Sequence, residues 1–237
     1  LCGSMLMAQT PANRTAKTTA ADVLAQMPAA KQAAYNKLIG DLSSTGEEGV
    51  LMLVNMINAP GKGSNANVDY ALSGLTHYVM AKGEENARLV TAKAYLKALE
   101  MVNERETKAF IIRQLQMLGK DECIDVLASY LNDESLSGPA ARALASNGSQ
   151  KAGQALVAAL KSRTGSSKTQ KDVIRAIADA RVDGAEPVLL VLQGASDPNM
   201  QKEVLYALSC VGSSNSLPVL ALSLIHISEP TRRRGIS

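Results

Sequence analysis

The sequence predicts an all-α fold in which helical hairpins stack into an α–α superhelix, a solenoid. Hydrophobic residues make up 46% of the 237 residues but aromatic residues only 3%, with no Trp and one Phe. The core must therefore be built from Ala, Leu, Val, Ile and Met. This composition favours closely packed helices, because sheets are usually richer in β-branched and aromatic residues. Two further observations support this fold: the sequence contains an internal repeat, and a glycine closes the first helix of each repeat.

Four segments of the sequence align with one another, and in each an apolar-periodic helix runs into a glycine. The segments are KAFIIRQLQMLG (108–119), SGPAARALASNG (137–148), KDVIRAIADARVDG (171–184) and KEVLYALSCVG (202–212). After a short polar link, a second apolar helix follows each of them, at 124–131, 155–160, 187–192 and 218–221. The repeating unit is a helical hairpin, and neighbouring hairpins are expected to bury a shared core.

The closing glycines are expected to end the first helices in the left-handed conformation, which costs glycine least. They are Gly119, Gly148, Gly184 and Gly212.

Two further hairpins are predicted upstream, in the region 29–104. One joins helices at 29–42 and 47–58, and the other joins helices at 67–81 and 84–103. The loop 58–65 (NAPGKGSN) interrupts the periodicity and is the best candidate for a mobile link. It lacks the GxxxxGK[ST] pattern and a preceding strand, so a phosphate-binding loop is not expected.

The irregular spacing of these hairpins resembles that of short HEAT repeats, which have an armadillo-type fold. The HEAT-like repeat region is predicted at 105–221, and the resemblance covers 108–221 well and the earlier hairpins weakly. Arg113, Arg142 and Arg175 occupy matched positions in the first helices. The resemblance implies that they form a structural ladder, each pairing with a carboxylate or helix end of a neighbouring repeat. A ligand-binding stripe is the alternative.

No residue set predicts catalysis, a metal site or a cofactor. Cys2, Cys123 and Cys210 lack ligand-like spacing, and His77 is the only histidine outside the C-terminal tail. Asp69 and Tyr70 lie near His77 in sequence, but their spacing matches no mechanism. We therefore expect a chain that is not an enzyme.

Both ends of the chain are interpreted separately from the repeats. Residues 1–8 (LCGSMLMA) resemble the end of a secretory signal peptide, followed by a polar segment at 9–28, so export to the periplasm or envelope of a Gram-negative bacterium is expected. Residues 222–237 resemble a translated transposase sequencing adapter and are excluded from functional reasoning. This tail supplies two of the three net positive charges, so no nucleic-acid-binding face is expected. No apolar stretch is long enough to predict a transmembrane segment.

The function expected is a non-catalytic scaffold that binds a protein partner or positions an attached C-terminal domain. The overall pattern resembles bacterial envelope proteins in which HEAT-like repeats precede a sugar-processing domain. The alternative is therefore the N-terminal helical-repeat part of a carbohydrate-active enzyme whose catalytic domain would follow Ala221. A bilin lyase-like repeat protein is a third, weaker interpretation. Because the fourth hairpin stops within its second helix, fraying and aggregation are expected from Leu205 onward.

Overall fold

The computed structural model describes residues 15–162 and 164–223. Every regular element within these ranges is helical, which confirms the predicted all-α fold. The α-helices are α1 Ala16–Ala25, α2 Gln32–Ser43, α3 Gly46–Asn55, α4 Ala66–Lys82, α5 Glu85–Met101, α6 Arg105–Leu118, α7 Ile124–Ser129, α8 Ser137–Asn147, α9 Gln150–Ser162, α10 Ser167–Ala180, α11 Glu186–Leu192 and α12 Pro198–Val211. Short 3-10 helices at Asp121–Cys123 and Ser214–Ser216 precede α7 and a further helical segment at 217–223. The chain divides after Leu118 into two compact units.

The N-terminal unit arranges α1 to α6 in two rows. Helices α1, α3 and α5 lie side by side in one row, and α2, α4 and α6 lie side by side in the other. Helices consecutive in sequence also pack across the rows, as α1 does on α2 and α5 on α6. This alternation is typical of stacked helical hairpins. Although α6 aligns in sequence with the later repeats, it packs on α4 and α5 and belongs to this unit.

Tyr95 is the largest fully buried side chain of the N-terminal unit. Its Oη donates a hydrogen bond to the Leu72 carbonyl at 3.0 Å and lies 3.1 Å from the Thr76 hydroxyl. Burial raises the pKa of the Tyr95 phenol, because an apolar interior disfavours the phenolate. The polar end of the ring is thus hydrogen-bonded inside a core made mainly of aliphatic side chains.

Helix α1 lies within the segment 9–28, which the sequence marks only as polar. Thr15 caps it by accepting a hydrogen bond from the Thr18 N–H at 3.3 Å. Ala16, Ala20 and Val23 are buried, and the helix packs on α2, α3 and α4. The apolar face consists mainly of alanines among threonines, so its period is weak in the sequence.

The C-terminal unit repeats the two-row arrangement. Helix α10 lies between α8 and α12 in one row, and α9 contacts α7 and α11 in the other. The matched apolar positions of the aligned segments in this unit, Leu144, Ile177 and Leu208, are at most 1% exposed. These side chains form the shared core that the internal repeat predicts.

The closing glycines do not all end their helices in the same way. Gly148 ends α8 with φ 69°, in the left-handed conformation that was expected. Helix α10 ends earlier, at Ala180, where Arg181 with φ 49° is the C-cap, and Gly184 lies in the following turn with φ 73°. Gly119 is not among the residues with positive φ.

For Gly212 the expectation of a left-handed conformation is wrong, because its φ is −71°. A Cβ at this position would lie only 2.3 Å from the Leu208 carbonyl oxygen. Glycine is required here because a Cβ would clash with the last turn of α12 and, at 2.6 Å, with the Ser216 hydroxyl.

Candidate functional site

The three matched arginines share a position in their helices but not a type of contact. Arg175 forms an ion pair with Glu203 on the neighbouring helix α12, as a structural ladder requires. Arg113 is exposed, and its charge acts on Asp69 of α4 without an ion pair. Arg142 is exposed and makes no ion pair with the described residues. A continuous arginine ladder is therefore not formed within the described ranges.

An arginine outside the aligned segments makes a buried contact instead. Arg88 on α5 is only 4% exposed, and its Nη1 donates a hydrogen bond to the Leu118 carbonyl at 2.6 Å. This carbonyl ends α6, where the last C=O groups lack partners within the helix. Nη2 of Arg88 also donates to the Glu85 carboxylate at 2.7 Å. Arg88 thus joins α5 to the C-terminal end of α6.

In the C-terminal unit, serines at the starts of first helices bond to carboxylates of the next repeat. The Ser137 hydroxyl of α8 donates to Asp172 of α10 at 2.6 Å, and the Ser167 hydroxyl of α10 donates to Asp197 at 3.0 Å. Asp197 in turn caps α12 by accepting from the Asn199 N–H at 2.9 Å. These contacts link successive hairpins through short side chains.

A further inter-repeat contact joins α11 to the 3-10 helix at Ser214–Ser216. The Glu186 carboxylate accepts hydrogen bonds from the Ser213 N–H and hydroxyl, both at 2.8 Å, and from the Ser216 hydroxyl. These donors favour the charged form and hold the pKa of the Glu186 carboxyl below its usual range, with the Ser216 hydroxyl as the largest cause.

Acid should weaken this contact in a defined pH window. Because the folded-state pKa of Glu186 is lowered, its stabilising contribution is present above the unfolded pKa of about 4.3 and is lost as pH falls through the lower folded pKa. The difference in unfolding free energy between wild type and Glu186→Gln should be constant above about pH 5.5 and shrink below about pH 4. Urea unfolding followed by circular dichroism between pH 3 and 7 measures this difference.

Glu134→Gln is the control, since Glu134 is exposed and makes no such bonds. A pH-independent difference for Glu186→Gln would contradict the prediction.

A cleft of about 540 Å³ opens in the C-terminal unit between the α8–α9 turn and the end of α10. We call it the inter-hairpin cleft. Its lining residues are Leu144, Gly148, Ser149, Gln150, Gly153, Gln154, Leu156, Ala180, Arg181, Val182 and Asp183. Its volume lies within the range of about 300–1,000 Å³ that is usual for ligand pockets.

The inter-hairpin cleft combines an apolar floor with polar groups that have no protein partner. Leu144, Leu156 and Val182 are buried. The exposed side chains of Gln150, Gln154, Arg181 and Asp183 make no hydrogen bond with the described residues. Left-handed backbone at Arg181 costs a non-glycine residue about 1 kcal/mol. The cleft therefore offers donors and acceptors around an apolar base.

A second, smaller cleft of about 140 Å³ lies in the N-terminal unit and is called the polar cleft here. Its lining residues are Ile57, Asn58, Pro60, Asn65, Asp69, Glu106, Thr107, Phe110 and Arg113. One rim belongs to the loop 58–65, which was expected to be a mobile link. The Asn65 Oδ1 accepts from the Asn58 N–H at 2.7 Å, and the Asn65 Nδ2 donates to the Asn58 carbonyl at 3.0 Å. This reciprocal pair closes the loop at its base.

The remaining residues singled out in the sequence do not meet in one place. His77 is exposed on α4, Cys123 is buried, and Cys210 is partly buried on α12. Within residues 15–162 and 164–223, no group of His, Cys, Asp and Glu side chains is arranged to hold a metal ion. In the same ranges, no helix combines the length and apolar character needed to cross a membrane.

The sequence did not predict the buried contact of Arg88 or the position of Asp69 in the polar cleft. A signal for Arg88 exists, because it precedes Thr91, Ala92 and Tyr95 at the spacing of one helix face, and that face is buried. The polar cleft has no comparable signal, because its walls come from a loop and two helices that are far apart in sequence.

The comparisons with known proteins identify no matching family model and no matching curated protein. Among solved structures, the chain is similar to the crystal structure of an engineered protein from the Northeast Structural Genomics Consortium. That match has 21% sequence identity and a TM-score of 0.41, and it covers 81% of this chain and 96% of that chain. The described fold is all-α and compatible with a helical repeat protein.

Proposed function

We propose that this chain is a non-catalytic scaffold of the HEAT-like class, whose C-terminal unit holds a segment of a partner protein in the inter-hairpin cleft. The observation that supports this most is the set of partnerless polar side chains around an apolar floor. A peptide backbone presents N–H and C=O groups in alternation, and the Gln150 and Gln154 amides can each both donate and accept hydrogen bonds. Arg181 and Asp183 add one charge of each sign, which can select among partner side chains.

The proposal also places this scaffold in a bacterial envelope protein. It is supported by the likeness of residues 1–8 to the end of a secretory signal peptide, and these residues lie outside the described ranges. The partner is a protein segment or a domain attached to this chain.

The proposal predicts that filling the inter-hairpin cleft abolishes peptide binding. Peptides of about twelve residues are selected on the full chain from a random library, and their affinities are measured by fluorescence anisotropy. Gln154→Trp places a large ring at the cleft and should weaken the selected peptides at least tenfold. Ala158→Trp is the matched control, because Ala158 is exposed one turn further along α9 and outside the cleft. Equal loss in both variants, or no loss in either, would overturn the proposal.

A further inference from the structure

The polar cleft of the N-terminal unit contains charges that the protein leaves unpaired. Asp69 is partly buried, and Glu106 and Arg113 are exposed at its sides. None of these three side chains makes a hydrogen bond or an ion pair with the described residues. Burial raises the pKa of the Asp69 carboxyl, and the charge of Arg113 only partly opposes this. Removing water from a carboxylate costs free energy when no protein group replaces it. A cationic group bound in the cleft would compensate for this cost.

Three acidic side chains of the same unit form ion pairs outside the cleft. Glu47 pairs with Lys97 at 2.6 Å, Glu84 pairs with Lys82 at 3.5 Å, and Glu85 pairs with Arg88 at 2.7 Å. Glu48, Glu100 and Glu104 of this unit are also without an ion pair to the described residues but are exposed, so Asp69 differs from them in being both unpaired and partly buried.

Thr107 is a second and independent observation. It lines the polar cleft from the first turn of α6 and is only 6% exposed. Its hydroxyl makes no hydrogen bond with the described residues. Gln114 Oε1 is the one fully enclosed side-chain polar atom without a partner among the described residues, so the Thr107 hydroxyl is open to the cleft and can bond a group that enters it.

The shape and charge of the cleft define what that group is. A space of about 140 Å³ is the size of one amino-acid side chain rather than a cofactor. Asp69 and Glu106 against Arg113 give the lining a net charge of one negative unit. Phe110 adds an aromatic surface for an aliphatic stem. The best complement is cationic at one end and carries an oxygen acceptor for Arg113 and Thr107.

We propose that the polar cleft binds one basic amino-acid residue, with its ammonium or guanidinium group at Asp69 and Glu106 and an oxygen of the same residue at Arg113 and Thr107. The ligand is a free basic amino acid or a basic residue of a peptide, which share this chemistry. The lining shares no residue with the inter-hairpin cleft, so the two sites can be tested separately.

The test titrates the full chain with small probes and follows amide chemical shifts by NMR. The probes are free lysine, Nα-acetyl-lysine amide and the uncharged Nα-acetyl-norleucine amide. Free lysine should shift amides around Asp69 and Thr107 with either source of the ligand, and the norleucine probe should not. Binding of free lysine alone identifies a free amino acid as the source, and binding of the amide as well identifies a peptide residue. Equal shifts from lysine and norleucine probes, or no shifts from any probe, would overturn the proposal.

Variants separate binding at Asp69 from a general charge effect. Asp69→Asn should weaken lysine binding at least tenfold, whereas Glu100→Gln, an exposed carboxylate of the same unit, should leave it unchanged. Thr107→Val should weaken binding several-fold without reducing stability, because its hydroxyl has no protein partner to lose. Equal effects of Asp69→Asn and Glu100→Gln would overturn the site. Gln154→Trp should leave lysine binding intact, so failure of the inter-hairpin cleft does not count against it.

Discussion

Replacement of Arg88 by Ala is expected to lower the free energy of unfolding of the N-terminal unit by about 3 kcal/mol. The variant leaves the Leu118 carbonyl without its donor and opens a cavity where the buried arginine stem was packed. Glu85 is not stranded in the interior, because 59% of its side chain is exposed. The cost is therefore placed at the lower end of the range of about 3–5 kcal/mol for breaking a buried pair.

Hydrogen exchange of amides in α4 to α6 measures this loss within the N-terminal unit. Arg113→Ala is the matched control, since it removes the same side chain from an exposed position and should cost less than about 0.5 kcal/mol. Arg88→Met keeps much of the stem and should recover part of the loss. Equal exchange in Arg88→Ala and Arg113→Ala would show that the contact with the end of α6 contributes little.

Replacement of Ile177 by Ala is expected to destabilise the C-terminal unit by about 3 kcal/mol. Ile177 is fully buried on α10, the helix that packs against both α8 and α12. The truncation removes apolar contacts and leaves a cavity that neighbouring helices can fill only in part. Because α10 is central in its row, both neighbouring helix contacts should weaken together.

Urea unfolding monitored by circular dichroism, with exchange of α8, α10 and α12 amides, measures the effect of Ile177→Ala. Ile177→Val removes one methylene group and should cost about 1 kcal/mol. A loss of similar size in the two variants, or faster exchange confined to α10 itself, would contradict a core shared by neighbouring repeats.

Local sequence patterns were sufficient to predict most helices. The helices expected at 67–81 and 84–103 correspond to α4 and α5 within two residues at each end. Leu144 and Ile177 are buried where the repeat alignment placed them in the core. These successes have one physical basis, because the period of apolar residues follows directly from helix geometry.

Contacts between elements distant in sequence were not predictable in the same way. Arg175 meets Glu203 only because α10 and α12 are neighbours, while Arg142 at the matched position makes no ion pair within the described residues. The contact that requires glycine at Gly212 also depends on the Ser216 side chain of the following 3-10 helix. The polar cleft needs Arg113 beside Asn65 and Asp69, and the separation of Arg113 from these two residues in the sequence hides that proximity.

Tyr95 gives the N-terminal unit a spectroscopic reporter of its own. Its phenol is enclosed and its hydroxyl is bonded inside the core, so alkali can ionise this ring only after the surrounding helices part. After a jump to high pH the more accessible tyrosines ionise first, and the slower rise in tyrosinate absorbance from Tyr95 would record the opening of one half of the chain, without a label or an introduced tryptophan.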